Sequence, residues 1–295
     1  MTELPHLFVV AEVEIGGRAA TGMSADGLAP KWFTKNPATT FANDDLPAML
    51  SVIRHAADAA VDIGSQPTFF DWWRELYTTQ FSWAGKADVP PLLAGLGFSL
   101  VERAVIDAFC RAGEIRFFDA LRDNAFALDL GWMREELGDL QPADVLPTAP
   151  RTKVSVRHTV GLGDPLRDED VSDDERVDDG LPHSLAANIR EYGLRYFKIK
   201  LCGESEVDRD RLRLIAEVLD REVAGAPTFT LDGNENYATV AEFRADWERH
   251  RNDPILRDFF DRGLLFVEQP VHRDTALADG VKQELNNWSD APAII

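Results

Sequence analysis

Cysteine is scarce in this chain. Cys110 and Cys202 are the only two in 295 residues, and their surroundings read as a helix and a strand. A disulfide framework is not called for, and both fit small core residues in a reducing compartment. Positive charge is short as well. Lysine and arginine number 31 against 51 acids, a net charge of −20, which argues against a nucleic-acid partner, since that needs a basic footprint. No apolar run approaches the roughly 18 residues of a membrane span, and MTELPHLFVV has neither the basic flank nor the long apolar region of a signal peptide. A cytoplasmic protein with no membrane partner is expected. His183, His250 and His272 show no metal-ligand spacing, and a lone strand histidine such as His158 reads as a core or rim residue.

What is present is a core. Hydrophobic residues make up 45% and aromatics 9%, the composition of a globular protein. Residues 7–22, LFVVAEVEIGGRAATG, alternate around Gly-Gly and predict a hairpin. From Leu46 the period becomes helical, with Leu50, Ile53, Ala57 and Val61 on one stripe and Gly64 as C-cap. SLVERAVIDAFCRAG repeats the pattern up to Gly113. Strands followed by helices predict an α+β domain over residues 1–148. Trp72, Trp73 and Trp83 read as its packing groups.

Near residue 150 two prolines and an alternating stretch mark a domain boundary. Nine acids follow: Asp164, Asp168, Glu169, Asp170, Asp173, Asp174, Glu175, Asp178 and Asp179. Such a run reads as a solvated loop. Beyond it helix and strand alternate: a helix from Ser184 to Gly193, the strand YFKIKL, a helix with Leu212, Ile215 and Leu219 on one stripe, and the strand TFTLD. The capping signature TVAE then opens a helix carrying Phe243 and Trp247, followed by LLFVEQP, and APAII reads as the start of one more strand. This is a βα repeat of about thirty-five residues, the grammar of a parallel sheet in an open doubly wound fold or a closed barrel. No glycine-rich phosphate fingerprint follows these strands, which weakens a dinucleotide-binding reading.

In FKIK, strand parity puts Lys198 and Lys200 on one face and Phe197, Ile199 and Leu201 on the other. A parallel sheet covered by helices has no wet face, so two ammonium groups inside a barrel would need anions beside them. The next two strands end on anions. Asp232 follows Lys200 by 32 residues, and Glu268 follows Asp232 by 36. Lys, Asp and Glu thus end successive strands at the rim where barrels build active sites. Carboxylate oxygens there suit a hard divalent cation such as Mg²⁺. Desolvation and a neighbouring cation would make a lysine easier to deprotonate, so that Lys198 would help make Lys200 a base.

The ordered set FKIK, LDGN and VEQP resembles the enolase superfamily, within it the mandelate racemase/muconate lactonizing enzyme group. The resemblance implies an α/β fold, a partial TIM-type (β/α) barrel preceded by an α+β capping domain, with residues 149–295 as the first half of a (β/α)7β-type barrel. It implies Lys200 as the base that takes a proton α to the carboxylate of a small-molecule substrate, Lys198 as its partner, Asp232 and Glu268 as two of three Mg²⁺ ligands, and Asn234 as a helper at the metal or substrate. It further implies a capping domain whose loops select the substrate, and assembly as a homo-oligomer.

Measured against that pattern, the chain is expected to be a fragment. It ends at Ile295, inside what should be the fifth barrel strand, so the third ligand and the opposite-face base are expected beyond it. The family's extra strand before the hairpin has no counterpart here, and GMSADG stands where a Glu usually follows. The proton abstraction fits a racemase, epimerase or cycloisomerase, towards which EQP leans, with acid-sugar dehydratase as the alternative. The reading from another class is a non-catalytic barrel portion whose lysines and acids form a structural ion-pair network.

Overall fold

In the computed structural model, which describes residues 4–173 and 176–295, Gly16 and Gly17 take φ values of 59° and 78°. That left-handed pair turns β1 (His6–Ile15) directly back onto β2 (Arg18–Gly27), as a two-residue hairpin turn requires. The second strand runs five residues further than its alternation suggested, so GMSADG lies within it. One reason is Gly22. A Cβ there would lie 2.2 Å from the carbonyl oxygen of Ala104, so only glycine lets the strand lie flat against the helix beneath it.

That helix is α3 (Pro91–Gly113), which packs with α1 (Leu46–Ile63) and α2 (Phe69–Lys86). The buried stripe of α1 is Met49, Val52, Ile53, Ala56 and Ala59, while Val61 is 79% exposed. The stripe read from sequence is therefore rotated by about one position. Its position follows from the contact at Gly97, where a Cβ would sit 2.1 Å from the Val52 carbonyl oxygen and the α1 backbone comes closest. Gly64 closes α1 at φ 65°, as expected. At the end of α3 the left-handed position falls on Glu114, one residue past Gly113. The tryptophans are packing groups: Trp73 stacks between Phe70 and Tyr77, Trp72 leans on Phe69, and Trp83 stacks on His55. Short helices α4 (Phe117–Arg122), α5 (Leu130–Met133) and α6 (Pro142–Val145) complete this first compact unit, Met1–Arg151.

The second unit, Thr152–Ile295, holds a parallel sheet in the order β3 (Arg157–Val160), β4 (Tyr196–Lys200), β5 (Thr228–Asp232), β6 (Leu264–Glu268). Helix α7 (Leu185–Tyr192) connects β3 to β4, and α8 (Ser205–Glu222) connects β4 to β5. Ser184 caps α7 through the Ala187 amide, and Gly193 ends it at φ 60°. Sequential parallel strands joined by helices form the arrangement of a partial (β/α) barrel. Between β5 and β6 lie two helices, α9 (Val240–Asn252) and α10 (Pro254–Gly263). The second was hidden in the dipeptide Asp253-Pro254, where the aspartate accepts from the Ile255 and Leu256 amides and proline takes the first helical position. After β6 come α11 (Arg273–Ala276) and α12 (Asp279–Asn286), and Ile294 then pairs parallel with Val267.

On the helix-covered face of the sheet, Phe197, Ile199, Phe229, Leu231 and Val267 are at most 1% exposed and join the stripe of α8 with Phe243 and Trp247 of α9 in one core. Within the acidic segment, Asp174 and Glu175 lie outside the described residues. Asp168 accepts from the Ser184 hydroxyl and from Arg190, both at 2.5 Å, which ties that end of the segment to α7. Among the described residues no helix is long and apolar enough to cross a membrane, and both cysteines are free and partly buried.

Candidate functional site

The register of the sheet decides what meets on its other face. Lys198 is level with Thr159 and Thr230, Lys200 with Asp232, and Asp232 with Glu268. Paired residues of parallel strands point to the same side. The two lysines, Asp232 and Glu268 are therefore gathered at the carboxyl ends of three neighbouring strands, while His158, level with Phe197, belongs to the opposite, helix-covered face.

The side chains close a continuous network. Lys198 Nζ lies 2.8 Å from Asp232 Oδ2 and 2.6 Å from Glu268 Oε1. Lys200 Nζ lies 3.0 Å from Asp232 Oδ2 and donates to Asn234 Oδ1 at 2.6 Å. Asn234 returns two bonds to the aspartate: its amide N–H reaches Asp232 Oδ1 at 3.0 Å and its side-chain amide reaches the Asp232 carbonyl at 2.9 Å. Burial raises the cost of a charged Asp232, but the two ammonium groups and the Asn234 amide outweigh it and hold the carboxyl below the usual carboxylate range. Burial likewise opposes charge on Lys198, and the Asp232 and Glu268 carboxylates outweigh it, holding that ammonium above the usual lysine value. Lys198 is thus held as a cation beside Lys200.

Arg157, at the start of β3, completes the face. Its Nη1 donates to Thr230 Oγ1 at 3.0 Å and to Glu268 Oε2 at 3.3 Å, so both Glu268 oxygens face cations. Parity from His158 would have put Arg157 on the lysine side, but β3 is only four residues long and too short for alternation to show.

The loops above the strands are held by equally specific contacts. The segment after β5 hydrogen-bonds to the segment after β6: Gly233 N to Glu268 O at 2.9 Å, Glu235 N to Gln269 O at 2.8 Å and Tyr237 N to Pro270 O at 3.1 Å. A Cβ on Gly233 would lie 2.6 Å from Pro270 Cα, so glycine is what lets the two chains touch. Asn234, Glu235 and Gln269 carry φ values of 50°, 65° and 39°, a conformation that costs non-glycine residues free energy and persists only where neighbours impose it. For Glu235 the neighbour is Arg273, whose Nε and Nη2 reach its two carboxylate oxygens at 2.6 Å each. After β4, buried Asp208 of α8 accepts the Cys202 and Gly203 amides, each at 2.9 Å.

Asp232 and Glu268 are hard oxygen donors side by side, the chemistry Mg²⁺ takes. Among the described residues no group of three or more His, Cys, Asp or Glu is placed to hold a metal, so the carboxylate pair with Asn234 is as far as a ligand set goes.

No family model matches the chain. It is 31% identical to the L-Lys-D/L-Arg epimerase of Methylococcus capsulatus, over 43% of this chain and 36% of that protein; the match spans little more than a third of the relative's length. Among solved structures the chain is similar to a dipeptide epimerase from Enterococcus faecalis, with 15% identity, 98% of this chain and 65% of that one covered, and a TM-score of 0.43. It is also similar to an enolase from Bradyrhizobium complexed with magnesium and mandelic acid, with 16% identity, 93% and 62% covered, and a TM-score of 0.44. Likenesses this distant carry no argument about the chemistry. The four-stranded parallel sheet is in place, and a curated protein to which the chain is similar is an epimerase.

Proposed function

We propose that this chain is part of an enolase-superfamily enzyme of the racemase, epimerase or cycloisomerase type, which removes the proton α to the carboxylate of a small-molecule substrate. The observation that carries this reading is the junction of Lys200, Asp232 and Glu268 at three successive strand ends, with Asn234 on the Lys200 ammonium.

In this reading Lys200 Nζ takes the α-proton. Asn234 and Asp232 fix where that nitrogen points, which sets the near-attack geometry that proton transfer needs. Lys198, kept protonated by its two carboxylates, supplies a permanent positive charge beside the developing anion. Asp232 and Glu268 would hold Mg²⁺, which when bound neutralises charge on the enediolate. Arg157 and Lys198 divide the Glu268 oxygens between them and keep that carboxylate oriented.

The test is solvent-deuterium exchange at the α-carbon of a panel of carboxylic acids, including dipeptides, with and without Mg²⁺. Exchange by the wild-type protein, lost in a folded Lys200→Ala variant, is the expected result. Retained exchange in that variant would remove Lys200 from the mechanism. Loss of water from acid sugars in place of α-exchange would move the reading to a dehydratase. The closed Lys198–Asp232–Glu268 network also suits a structural ion-pair cluster; no exchange with any acid, together with no thermal shift on adding Mg²⁺, would favour that non-catalytic reading.

A further inference from the structure

Tyr237 ends the loop that carries Asn234, and it is tied down at both ends. Its amide donates to Pro270 O at 3.1 Å and its carbonyl accepts from the His272 amide at 2.8 Å, so its backbone joins the segment after β6. Its ring is 5% exposed, and its hydroxyl donates to Asp246 Oδ2 on α9. Asp246 is 4% exposed, and its other oxygen, Oδ1, has no hydrogen-bond partner among the described residues. His250 Nε2 is 4.0 Å from that oxygen and lies 3.2 Å from the Ser205 carbonyl instead. The hydroxyl of Tyr237 is therefore the one hydrogen bond described for this buried carboxylate.

A phenylalanine over a leucine would fill the same space without burying a half-satisfied carboxylate, whose desolvation is costly. What the polar pair adds is direction. A hydroxyl aimed at one carboxylate oxygen fixes the ring's position along α9, and with it a loop whose residues 234 and 235 sit in left-handed conformations that will relax unless held. Three residues before Tyr237, Asn234 Oδ1 accepts from Lys200 at 2.6 Å, so drift of the loop would be drift of the lysine's partner.

We propose that Tyr237 and Asp246 are positioning residues, a buried hydroxyl–carboxylate anchor that holds the 233–237 loop in place and so keeps Asn234 on Lys200. Its consequence for rate rests on Lys200 being the base proposed above; the anchor itself does not.

The experiment compares Tyr237→Phe, Asp246→Leu and Asp246→Asn by amide hydrogen exchange and by α-proton exchange kinetics. Losing a hydrogen bond to a charged group should speed exchange at the Glu235, Tyr237 and His272 amides about tenfold or more in Tyr237→Phe and Asp246→Leu, with β4 unchanged. Asp246→Asn keeps an acceptor for the hydroxyl and should stay close to wild type. In the same two loosened variants kcat should fall while KM holds, since positioning of the base is lost and binding is not. Wild-type exchange at those amides in Tyr237→Phe would overturn the anchor. So would equal loosening in Asp246→Asn, which would make the pair mere packing, or loosened amides with unchanged kcat. Should the wild type exchange no α-proton at all while the amides respond as described, the base assignment fails and the anchor stands.

Discussion

Lys198 and Glu268, 70 residues apart in sequence, meet as an ion pair with Nζ 2.6 Å from Oε1, and Asp232 closes on the same ammonium from the neighbouring strand. This pairing has a pH signature. The Lys198 value is raised in the folded state, so its stabilisation is complete below the unfolded lysine value near 10.4 and is lost as pH rises through the folded value. Asp232 is lowered, so its stabilisation is present above the unfolded carboxylate value and is lost as pH falls through the folded one. In Lys198→Met, stability at neutral pH should drop by about 1–3 kcal/mol, short of the loss for a fully buried pair. The alkaline loss should become shallower, and the acid loss should become smaller, because Asp232 has one ammonium fewer and its folded value lies closer to the unfolded one. Thermal unfolding followed from about pH 2 to about pH 12 checks both limbs, and an unchanged alkaline limb would refute the pairing.

Contact between the two strand-end loops depends on Gly233. An alanine Cβ would meet backbone, Pro270 Cα, at 2.6 Å, and backbone cannot swing away as a side chain tip can. Gly233→Ala should cost about 1–3 kcal/mol by overpacking and should weaken the bond from Lys200 to Asn234 by lifting the loop. Gly163→Ala, with nothing within 4 Å of the added carbon, serves as the control and should be neutral or slightly stabilising. Denaturant titration of the pair separates a steric cost from a general intolerance of alanine.

Phe229 stacks on Phe259 with ring centroids 4.1 Å apart, and both are 1% exposed. Phe229→Ala should cost about 3–5 kcal/mol, because the ring lies between the sheet and α10 and the cavity has rigid walls. Val61→Ala, at a position 79% exposed, should fall within about 0.5 kcal/mol of wild type. Equal effects would mean the second unit does not unfold cooperatively around this stack.

Legibility in the sequence followed the strength of local periodicity. The βα alternation, the caps at Ser184, Gly193 and Thr239 and the placement of Lys198, Lys200, Asp232 and Glu268 on one face were readable because parity and spacing are backbone properties. The buried stripe of α1 was misplaced by a residue because alanine and leucine lie on both sides of it, and the deciding contact is Gly97, on another helix. Arg157 went unread because its strand has four residues. Asp208 and Asp246 went unread because a buried polar group looks like a surface one until its partners, brought in from other segments, are known.

Asp208 shows what such a group does. It is 2% exposed in the first turn of α8, and its two oxygens accept the Cys202 and Gly203 amides at 2.9 Å each. Those amides begin the turn directly after Lys200, where Leu201 N reaches Asp232 O at 2.9 Å. Asp208→Ala strands both donors and should cost about 2–4 kcal/mol, since an unsatisfied buried polar group costs about 1–3. Asp208→Asn offers one acceptor oxygen and should lose roughly half as much. The Cys202 thiol gives a local readout. Burial, with Asp208 and Glu204 nearby, pushes its titration above the ordinary thiol value, which keeps it sluggish towards thiol reagents. Opening the turn in Asp208→Ala should relieve that burial and speed Cys202 labelling relative to Cys110. Labelling at the wild-type rate alongside a full stability loss would mean that the carboxylate acts on α8 alone and does not hold the turn that follows Lys200.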